Sequence, residues 1–327
     1  MKVFMIGESA KHRDTLLRFL PASVDVIGLP REAATTDEYD RDMGEDDVLI
    51  TLRYSRDNIH QKKFRLLHVP GAGLDGINFH SIPESVSICN VFEHEIPIAE
   101  YVISAMLDIE VRFAKMCAEF SRENWARLYR ARTPHGELNG KTLGLIGYGR
   151  IGQEIAKRAH AFGMQIIAIN RSAIHEGLDI LNQALPMDKL DSLLTASDFV
   201  VIACPLSDKT RGLLNAASLK KMHRHAVLIN ISRAEIVDQQ ALYDALKERL
   251  IGAAVIDVWW HYPSTDQDNP APSDLPFDTL PNVLCTAHSS AWSKYLPERR
   301  YRAIAHNIRR LISGEPLFNL VQRPYSS

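Results

Sequence analysis

Short apolar segments alternate with longer polar segments along the N-terminal part of the chain. Apolar runs of this kind, bounded by charged and turn-forming residues, are typical of buried parallel strands. The polar stretches between them are long enough for crossover helices. The pattern therefore predicts a parallel β/α unit whose strands lie at residues 3–6, 24–29, 48–52, 66–69 and 86–91.

The next segment has the spacing of one long helix. Ile98, Val102, Met106 and Ile109 recur at helical intervals, and neither Gly nor Pro interrupts residues 98–117. We expect a continuous helix here that leads out of the first unit and marks a domain boundary.

A second alternation of apolar and polar segments begins after the polar segment 121–140. Residues 261–281 are rich in Pro, Asp and Ser and are expected to form an ordered loop or lid, and residues 301–312 a final helix. The whole pattern predicts an α/β protein with a second doubly wound parallel sheet. Its predicted strands are residues 142–146, 165–169, 199–203, 226–230, 253–256 and 283–286.

Composition indicates an ordinary globular chain with no strong electrostatic character. A length of 327 residues suggests two domains. With 46% hydrophobic residues, 24% charged residues and a net charge of -2, no global positive field draws the chain to nucleic acid or acidic membranes. A small-molecule ligand is therefore favoured.

The cysteines and the N-terminus bear on compartment. Cys89, Cys117, Cys204 and Cys285 lie far apart without zinc-ligand spacing, so we expect free thiols and no metal site. The apolar run before Gly7 is too short for a signal peptide, and no segment reaches the roughly 20 apolar residues of a membrane span. These features predict a cytoplasmic protein.

The strongest chemical signal is a glycine-rich turn between the strand 142–146 and the helix 150–162. Its sequence, GYGRIG at residues 147–152, matches the dinucleotide fingerprint in register with both elements. Gly147 permits the tight turn, Gly149 lets a pyrophosphate approach the backbone, and Gly152 lets helix and strand pack closely. The phosphates are expected at the helix N-terminus, against Arg150 and Ile151.

The end of the second strand of this sheet predicts which nucleotide binds. NAD-binding folds usually place Asp or Glu there to accept from the ribose hydroxyls, but this chain has Asn170, Arg171 and Ser172. Arg171 can pair with a 2′-phosphate that a carboxylate would repel, so we predict NADP(H) over NAD(H). The alternative is that Arg171 is a solvated loop cation.

Polar residues also follow the later strands, where ligands of open α/β sheets collect. Arg233, Asp257 and His288 each come just after a predicted strand, as does the pair Cys204-Pro205. Singly, they could be a surface ion pair, a turn cap and one of 13 histidines. Together, a cation that clamps a carboxylate and an imidazole that exchanges a proton are what reduction of a keto acid requires.

With these residues identified, the chain resembles the D-isomer-specific 2-hydroxyacid dehydrogenases over essentially its whole length. The resemblance rests on the order of many short motifs rather than on any one of them. In chain order they are residues 70–75 (PGAGLD), Asn90, Ala99-Glu100, residues 147–152, Cys204-Pro205-Leu206 with Thr210, Ser232-Arg233, Val237-Asp238, Asp257-Val258-Trp259 and Thr286-Ala287-His288.

The resemblance implies a Rossmann dinucleotide-binding domain at residues 98–291. This domain is inserted into a flavodoxin-like substrate domain made of residues 1–97 and 292–327, with substrate in the cleft between them. It also implies a homodimer that associates through the nucleotide domains.

Roles follow from the same resemblance. The N–H groups of Ala72 and Gly73 would hold the substrate carboxylate, Arg233 would bind carboxylate and keto oxygen, and His288 would act as acid and base. Trp292 is a candidate pocket residue. Further cofactor contacts are expected at Cys204, Pro205, Thr210, Ile231, Asp257, His288 and Ser290.

One position departs from the family pattern. Members usually carry Glu five residues after the motif Asp, where it pairs with the catalytic His, whereas this chain has Tyr262. A phenol can orient an imidazole but supplies no negative charge to stabilise its protonated form. Asp266, Asp268 or Glu298 could replace the missing acid, or Tyr262 could relay a proton.

The predicted function is NADPH-dependent reduction of a small 2-keto acid, glyoxylate or hydroxypyruvate, to the D-2-hydroxy acid. Two alternatives stay open. One is formate oxidation, because formate dehydrogenases resemble this chain around Asp257 and also lack the Glu. The other is a catalytically weak nucleotide-sensing protein, which Tyr262 favours and the presence of Arg233 with His288 opposes.

Overall fold

A computed structural model describes residues 1–56, 64–263 and 267–321. It divides into two compact units, Met1–Glu93 with Ser293–Ser327 and His94–Trp292. The strands are β1 Lys2–Ile6, β2 Asp25–Leu29, β3 Val48–Ile50, β4 Leu66–His68, β5 Ser87–Cys89, β6 Thr142–Ile146, β7 Gln165–Asn170, β8 Gln183–Pro186, β9 Phe199–Ile202, β10 Val227–Asn230, β11 Ala253–Ile256 and β12 Val283–Cys285. The α-helices are α1 Arg13–Leu17, α2 Glu95–Val111, α3 Phe113–Glu119, α4 Trp125–Arg130, α5 Arg150–Ala161, α6 Leu190–Ala196, α7 Ala216–Leu219, α8 Gln239–Lys247 and α9 Leu296–Ile312.

The first unit is a five-stranded parallel sheet in the order β2-β1-β3-β4-β5. Alternate residues of β1 face opposite sides, so Val3 and Met5 join a core with Ile304 and Ile308 of α9. Phe4 and the other residues of the opposite face pack in a second core. The segment after α9 returns to this sheet edge, where Val321 N donates to Ile88 O at 2.8 Å.

The second unit is a seven-stranded parallel sheet in the order β12-β11-β10-β9-β6-β7-β8. The strands that follow β6 along the chain are added first on one side of it (β7, β8) and then on the other (β9 to β12), so the strand order reverses between β6 and β9. Doubly wound sheets bind ligands in the crevice at such a point. One face is covered by α2 and α5, and the other carries a separate core that includes residues of α6 and α8. The predicted α/β class with two doubly wound sheets is confirmed.

Each predicted strand is present, with small differences at its ends, but the second sheet has one strand more. The missed strand, β8, lies at the sheet edge and pairs only with β7. Its residues are mostly exposed, and it ends in Pro, which edge strands tolerate. An edge strand buries little apolar surface, so the sequence carries no apolar run that marks it.

The predicted continuous helix over residues 98–117 is wrong. The Arg112 N–H still makes a helical hydrogen bond to Asp108 O at 2.9 Å, but Arg112 adopts a left-handed conformation with φ of 56°, which ends α2. A new helix, α3, starts at the next residue. The polar segment 121–140 holds the unpredicted helix α4. The final helix, predicted from residue 301, begins at Leu296.

Two further observations concern the predicted loop and membrane segments. Within residues 261–281, the described part has one short helical turn, Phe277–Thr279, and Asp266 lies outside the described residues. No helix of the described chain has both the length and the hydropathy needed to cross a bilayer.

Candidate active site

The glycine-rich turn after β6 assigns a different task to each glycine. Gly147 has φ of 102°, and a Cβ there would meet the backbone of Cys204 at 2.7 Å. A Cβ on Gly152 would collide with the Gly147 carbonyl oxygen. A Cβ on Gly149, by contrast, would project into open space at the start of α5. Two glycines are therefore required by the protein's own packing, and the third leaves room beside a helix N-terminus.

That helix N-terminus has the features of an anion site. Gly149 is the N-cap of α5 and supplies no side-chain acceptor for the first-turn N–H groups. Arg150 is exposed, Ile151 is half-buried, and no acidic residue lies in the first turn. Backbone donors and the positive end of the helix dipole favour a phosphate at such a position.

The end of β7 is a short polar loop that the Asn170 side chain organises. Asn170 Nδ2 donates to Ser172 O and approaches Ser172 Oγ, each at 3.2 Å, and its Oδ1 accepts from Tyr148 N at 3.4 Å. Its amide is thus engaged within the loop. Arg171 is exposed and has no ion pair among the described residues. Arg171 is the group left to meet a ligand here.

The loop after β9 is braced by its own hydroxyl groups. Thr210 is nearly buried, and its Oγ1 donates to Pro205 O at 2.8 Å and accepts from Ser207 N at 2.8 Å. Cys204 is buried, which raises the pKa of its thiol to about 11, so it stays protonated at neutral pH. Ile231, after β10, is also buried. The predicted contacts of these side chains with the cofactor stay predictions.

Arg233 is presented by a turn that Asn230, the last residue of β10, holds in shape. Asn230 Oδ1 accepts from Ser232 N at 3.1 Å, and its Nδ2 donates to Arg233 O at 2.9 Å. Arg233 Nη1 donates to Ser232 O at 2.8 Å. Burial is the main cause of a lowered pKa of the His288 imidazole, and the positive charge of Arg233 acts in the same direction.

His288 and Tyr262 are in direct contact. The Tyr262 hydroxyl lies 2.8 Å from His288 Nδ1 and accepts the backbone N–H of Trp259 at 3.1 Å. Loss of hydration lowers the pKa of His288 below its usual value, the charge of Asp257 opposes this, and that of Arg233 adds to it. Burial raises the pKa of Tyr262, so the residue that takes the place of the usual Glu is a neutral phenol.

Asp257, just after β11, is fully buried and accepts three internal hydrogen bonds. Its Oδ1 accepts from Ser289 N at 2.7 Å and from the Thr286 hydroxyl, and its Oδ2 accepts from Ser290 N at 2.9 Å. Ser290 is itself buried. The contact of Asp257 with the nicotinamide, which the resemblance implies, stays a prediction, while its contact with the His288 loop is explicit.

In the first unit, the predicted substrate loop follows β4. Ala72 O accepts from Asn90 Nδ2 at 3.0 Å, and Gly71 O accepts from Val91 N at 3.3 Å. Asn90 is nearly buried and Gly73 is exposed. The loop is therefore anchored from one side by the chain after β5, while the N–H of Gly73 lies at an exposed position.

The remaining predicted and missed residues belong to the second unit. Trp292 is 70% exposed, so its side chain fills no core. Residues that the sequence interpretation did not single out for the site are Asn230, Tyr101 and the Trp259 backbone. Tyr101 and Thr286 are 185 positions apart in the chain, and no local motif signals their contact.

The fold and this set of residues define a dinucleotide-binding α/β protein with a cation after β10 and an imidazole after β12, at the carboxyl edge of one parallel sheet. A family model described as "D-isomer specific 2-hydroxyacid dehydrogenase, NAD binding domain" matches residues 103–290. The chain belongs to this family.

Individual relatives agree. The chain is 32% identical over 284 residues to D-3-phosphoglycerate dehydrogenase of Methanocaldococcus jannaschii. The aligned residues cover 85% of this chain and 52% of that enzyme. It is 36% identical over 190 residues to glyoxylate reductase of Korarchaeum cryptofilum, with 57% and 54% covered. The chain thus matches about half the length of these two relatives.

A solved structure supports the fold in the same way. A D-isomer specific 2-hydroxyacid dehydrogenase family protein from Aeromonas salmonicida superposes with a TM-score of 0.76, covering 98% of both chains at 23% identity.

Proposed function

We propose that this protein is an NADPH-dependent reductase of small 2-keto acids, with glyoxylate or hydroxypyruvate as substrate and a D-2-hydroxy acid as the chiral product. The observation that carries the proposal is that Arg233 follows β10 and His288 follows β12 of the same parallel sheet, so both lie at its carboxyl edge. A bidentate cation beside a proton-exchanging imidazole suits a keto acid, and a nucleotide sensor requires neither. The glyoxylate reductase among the relatives points to the same substrate class.

The described residues fit a bound nicotinamide dinucleotide. The open space at Gly149 and the uncapped N-terminus of α5 would take the pyrophosphate, and Arg171 would pair with the 2′-phosphate of the adenosine ribose. The reduced cofactor, when bound, supplies the hydride. Its exact contacts with Ile231, Asp257 and Ser290 belong to the proposal.

The protein's own groups would supply binding and the proton. Arg233 would bind the substrate carboxylate and the keto oxygen, and the N–H groups of Ala72 and Gly73 are the further carboxylate donors that the family resemblance implies. As negative charge develops on this oxygen, Arg233 stabilises it and protonated His288 gives it a proton from Nε2. Nδ1 of His288 faces the Tyr262 hydroxyl, which leaves Nε2 as the nitrogen available to substrate. Trp292 would bound the pocket.

The decisive experiment is the initial rate of nicotinamide absorbance loss with glyoxylate and hydroxypyruvate, each with NADPH and NADH. We expect turnover with NADPH, and a fall in kcat of about 10²- to 10⁴-fold in His288→Ala and of about 10²- to 10³-fold in Arg233→Ala. Matched controls are His223→Ala and Arg224→Ala, both exposed positions in the turn before β10.

Three results would contradict the proposal. Wild-type rates in His288→Ala and Arg233→Ala would remove the assigned mechanism. Tight NADPH binding with no turnover on either keto acid would instead support a nucleotide-sensing protein, and oxidation of formate by the same preparation would support a formate dehydrogenase.

We propose further that the protein is a homodimer and that α3 and α4 form its contact surface. Neither helix has a buried residue. Phe113, Trp125 and Tyr129 on these helices, and Phe120 directly after α3, are each at least half exposed. An apolar groove of about 620 Å³ is lined by residues of α2 and α5 and by Phe113. Contiguous exposed apolar surface marks an association site.

The dimer is tested by sedimentation velocity. Wild-type protein should sediment as a dimer, and Phe113→Glu with Trp125→Glu should sediment as a monomer that keeps its folded spectrum. A control, Leu178→Glu, alters another exposed apolar residue outside these helices and should leave the dimer intact. A monomeric wild-type protein at micromolar concentration would contradict this assignment.

A further inference from the structure

The backbone of His288 is strained. Its φ is 55°, in the left-handed region, which costs a residue with a Cβ roughly 1–2 kcal/mol. A conformation of this kind persists only when neighbouring groups hold it. The holding groups are identifiable, because the two N–H groups that follow His288, those of Ser289 and Ser290, both donate to Asp257.

Asp257 in turn depends on Thr286. The carboxylate is fully buried and makes no ion pair among the described residues, so hydrogen bonds must compensate its charge. Besides the two backbone N–H groups, the donor is the Thr286 hydroxyl. The backbone carbonyl of Thr286 is held as well, because it accepts Trp259 Nε1 at 2.8 Å.

The direction of the next hydrogen bond follows from donor counting. A carboxylate only accepts, so the single hydroxyl proton of Thr286 goes to Asp257. Thr286 Oγ1 must then accept in its contact with the Tyr101 hydroxyl, which lies 2.7 Å away. Tyr101 is the donor that starts a directed chain from α2 through Thr286 and Asp257 to the loop that carries His288.

We propose that Tyr101 and Thr286 are positioning residues for His288, which hold the Asp257 carboxylate in the orientation that keeps the imidazole in place for proton transfer. The proposal rests on the acid and base role of His288 in the proposed function. Tyr101 is given this role because of its hydrogen bond to Thr286, although Tyr101 is not part of the dinucleotide fingerprint.

The test uses variants that remove one hydrogen bond at a time. Tyr101→Phe and Thr286→Val should each lower kcat for keto acid reduction by roughly ten- to a hundredfold, the scale of a misplaced catalytic group, with a much smaller change in KM for NADPH. Thr286→Ser keeps the hydroxyl and should restore most of the rate. The double variant should be no slower than Thr286→Val, because the two residues act in series.

A matched control separates positioning from general damage. Tyr243 on α8 is also partly buried, and its hydroxyl makes no hydrogen bond among the described residues. Tyr243→Phe should therefore leave the rate and its pH profile at wild-type values. If Tyr101→Phe fails to fold, Thr286→Val against Thr286→Ser tests the same link.

A second readout does not need turnover. The NMR titration of the His288 Cε1 proton, assigned by its loss in His288→Ala, reports on the loop in the cofactor-free protein. The charged and titratable groups that act on His288 are Asp257, Arg233 and Tyr262. When the loop relaxes, water reaches the His288 ring. The pKa of His288 should therefore rise toward the ordinary value of histidine in Tyr101→Phe and in Thr286→Val.

Wild-type kcat together with a wild-type His288 titration in Tyr101→Phe would overturn the proposal. An inactive wild-type protein would contradict the proposed function alone, because the titration would still show whether Tyr101 and Thr286 fix the loop. A shifted titration in that case would support the positioning role.

Discussion

The Tyr262 hydroxyl contacts His288 Nδ1 at 2.8 Å, at the position where the family pattern places a carboxylate. The same oxygen accepts the Trp259 N–H, so one lone pair is occupied and the phenol can still donate its proton or accept one. A carboxylate would only accept, and would thereby favour the imidazole with a proton on Nδ1. Tyr262 orients the ring without stabilising its positive charge.

The first prediction follows from that missing charge. Reduction needs protonated His288, so its rate should fall as pH rises through the pKa of His288, which burial lowers below its ordinary value. Tyr262→Glu adds a negative charge beside the ring, which raises this pKa and moves the decline to higher pH. The measurement is kcat/KM for glyoxylate as a function of pH.

The matched control for that experiment is Tyr262→Gln, which is neutral and about the size of Glu. Its pH profile should stay with that of the wild type. If the Glu and Gln variants declined at the same pH, charge at residue 262 would have no influence on His288.

The second prediction separates the glycines of the turn after β6. Gly149→Ala should fold with wild-type stability, because the added Cβ projects into open space, but should weaken NADPH binding where the pyrophosphate is expected. Gly152→Ala should instead lower the melting temperature, since its Cβ collides with the Gly147 carbonyl oxygen. Thermal unfolding and fluorescence titration with NADPH measure the two effects.

A destabilised Gly149→Ala with full NADPH affinity would remove the argument for a ligand at this point. The stability of Gly152→Ala serves as the internal comparison, because both substitutions add one methyl group within four residues of each other.

The sequence predicted the elements whose signal is local. The glycine turn at residues 147–152 is a motif with a fixed relation to a strand and a helix, and buried central strands such as β9 are recognisable as apolar runs. The residues after the strands could be placed at one edge of a sheet because parallel strands end together. The position of Tyr262 was identified because it departs from an otherwise regular pattern.

The elements that sequence reasoning missed depend on distant or weak interactions. The break at Arg112 places a non-glycine residue in the left-handed region, which no helical periodicity can signal. β8 has one neighbouring strand and little buried surface. Tyr101 and Thr286 meet only through folding, and whether the Tyr262 oxygen receives the Trp259 N–H depends on the path of the chain after β11.

The third prediction concerns a buried histidine in the first unit. His68, on β4, is 1% exposed, and burial lowers its pKa to about 4. Its Nε2 lies 3.2 Å from Asn307 Nδ2, so the neutral ring accepts this hydrogen bond, and Asn307 also binds both backbone groups of Phe318. Protonation of His68 would place an N–H donor on Nε2 opposite the N–H donor of Asn307 Nδ2, so this hydrogen bond would be lost.

Stability should therefore depend on pH through His68. Because its folded pKa is lowered from 6.5 to about 4, its contribution is present above pH 6.5 and is lost as the pH falls from 6.5 toward 4. The full loss is about 3 kcal/mol from the size of the shift. Urea unfolding between pH 4.5 and 7 should give a shallower pH dependence in His68→Gln than in the wild type.

The comparison variant is His135→Gln, which alters an exposed histidine and should keep the wild-type pH dependence. Equal pH dependence in His68→Gln and the wild type would show that His68 does not titrate across unfolding.

The last prediction addresses the nucleotide preference at the end of β7. The side-chain amide of Asn170 donates to Ser172, so Arg171 is the exposed side chain there with donors available to a ligand. No carboxylate pairs with Arg171 among the described residues. Arg171→Ala should raise the Kd for NADPH by about ten- to a hundredfold, the value of a charge-assisted contact to phosphate, and leave the Kd for NADH unchanged. Arg224→Ala removes an exposed arginine from another loop and should alter neither affinity. Equal loss of NADPH and NADH binding in Arg171→Ala would mean that the side chain supports the loop rather than reads the 2′-phosphate. Higher salt should weaken NADPH binding to the wild type more than to Arg171→Ala, because screening acts on the charge that the variant lacks.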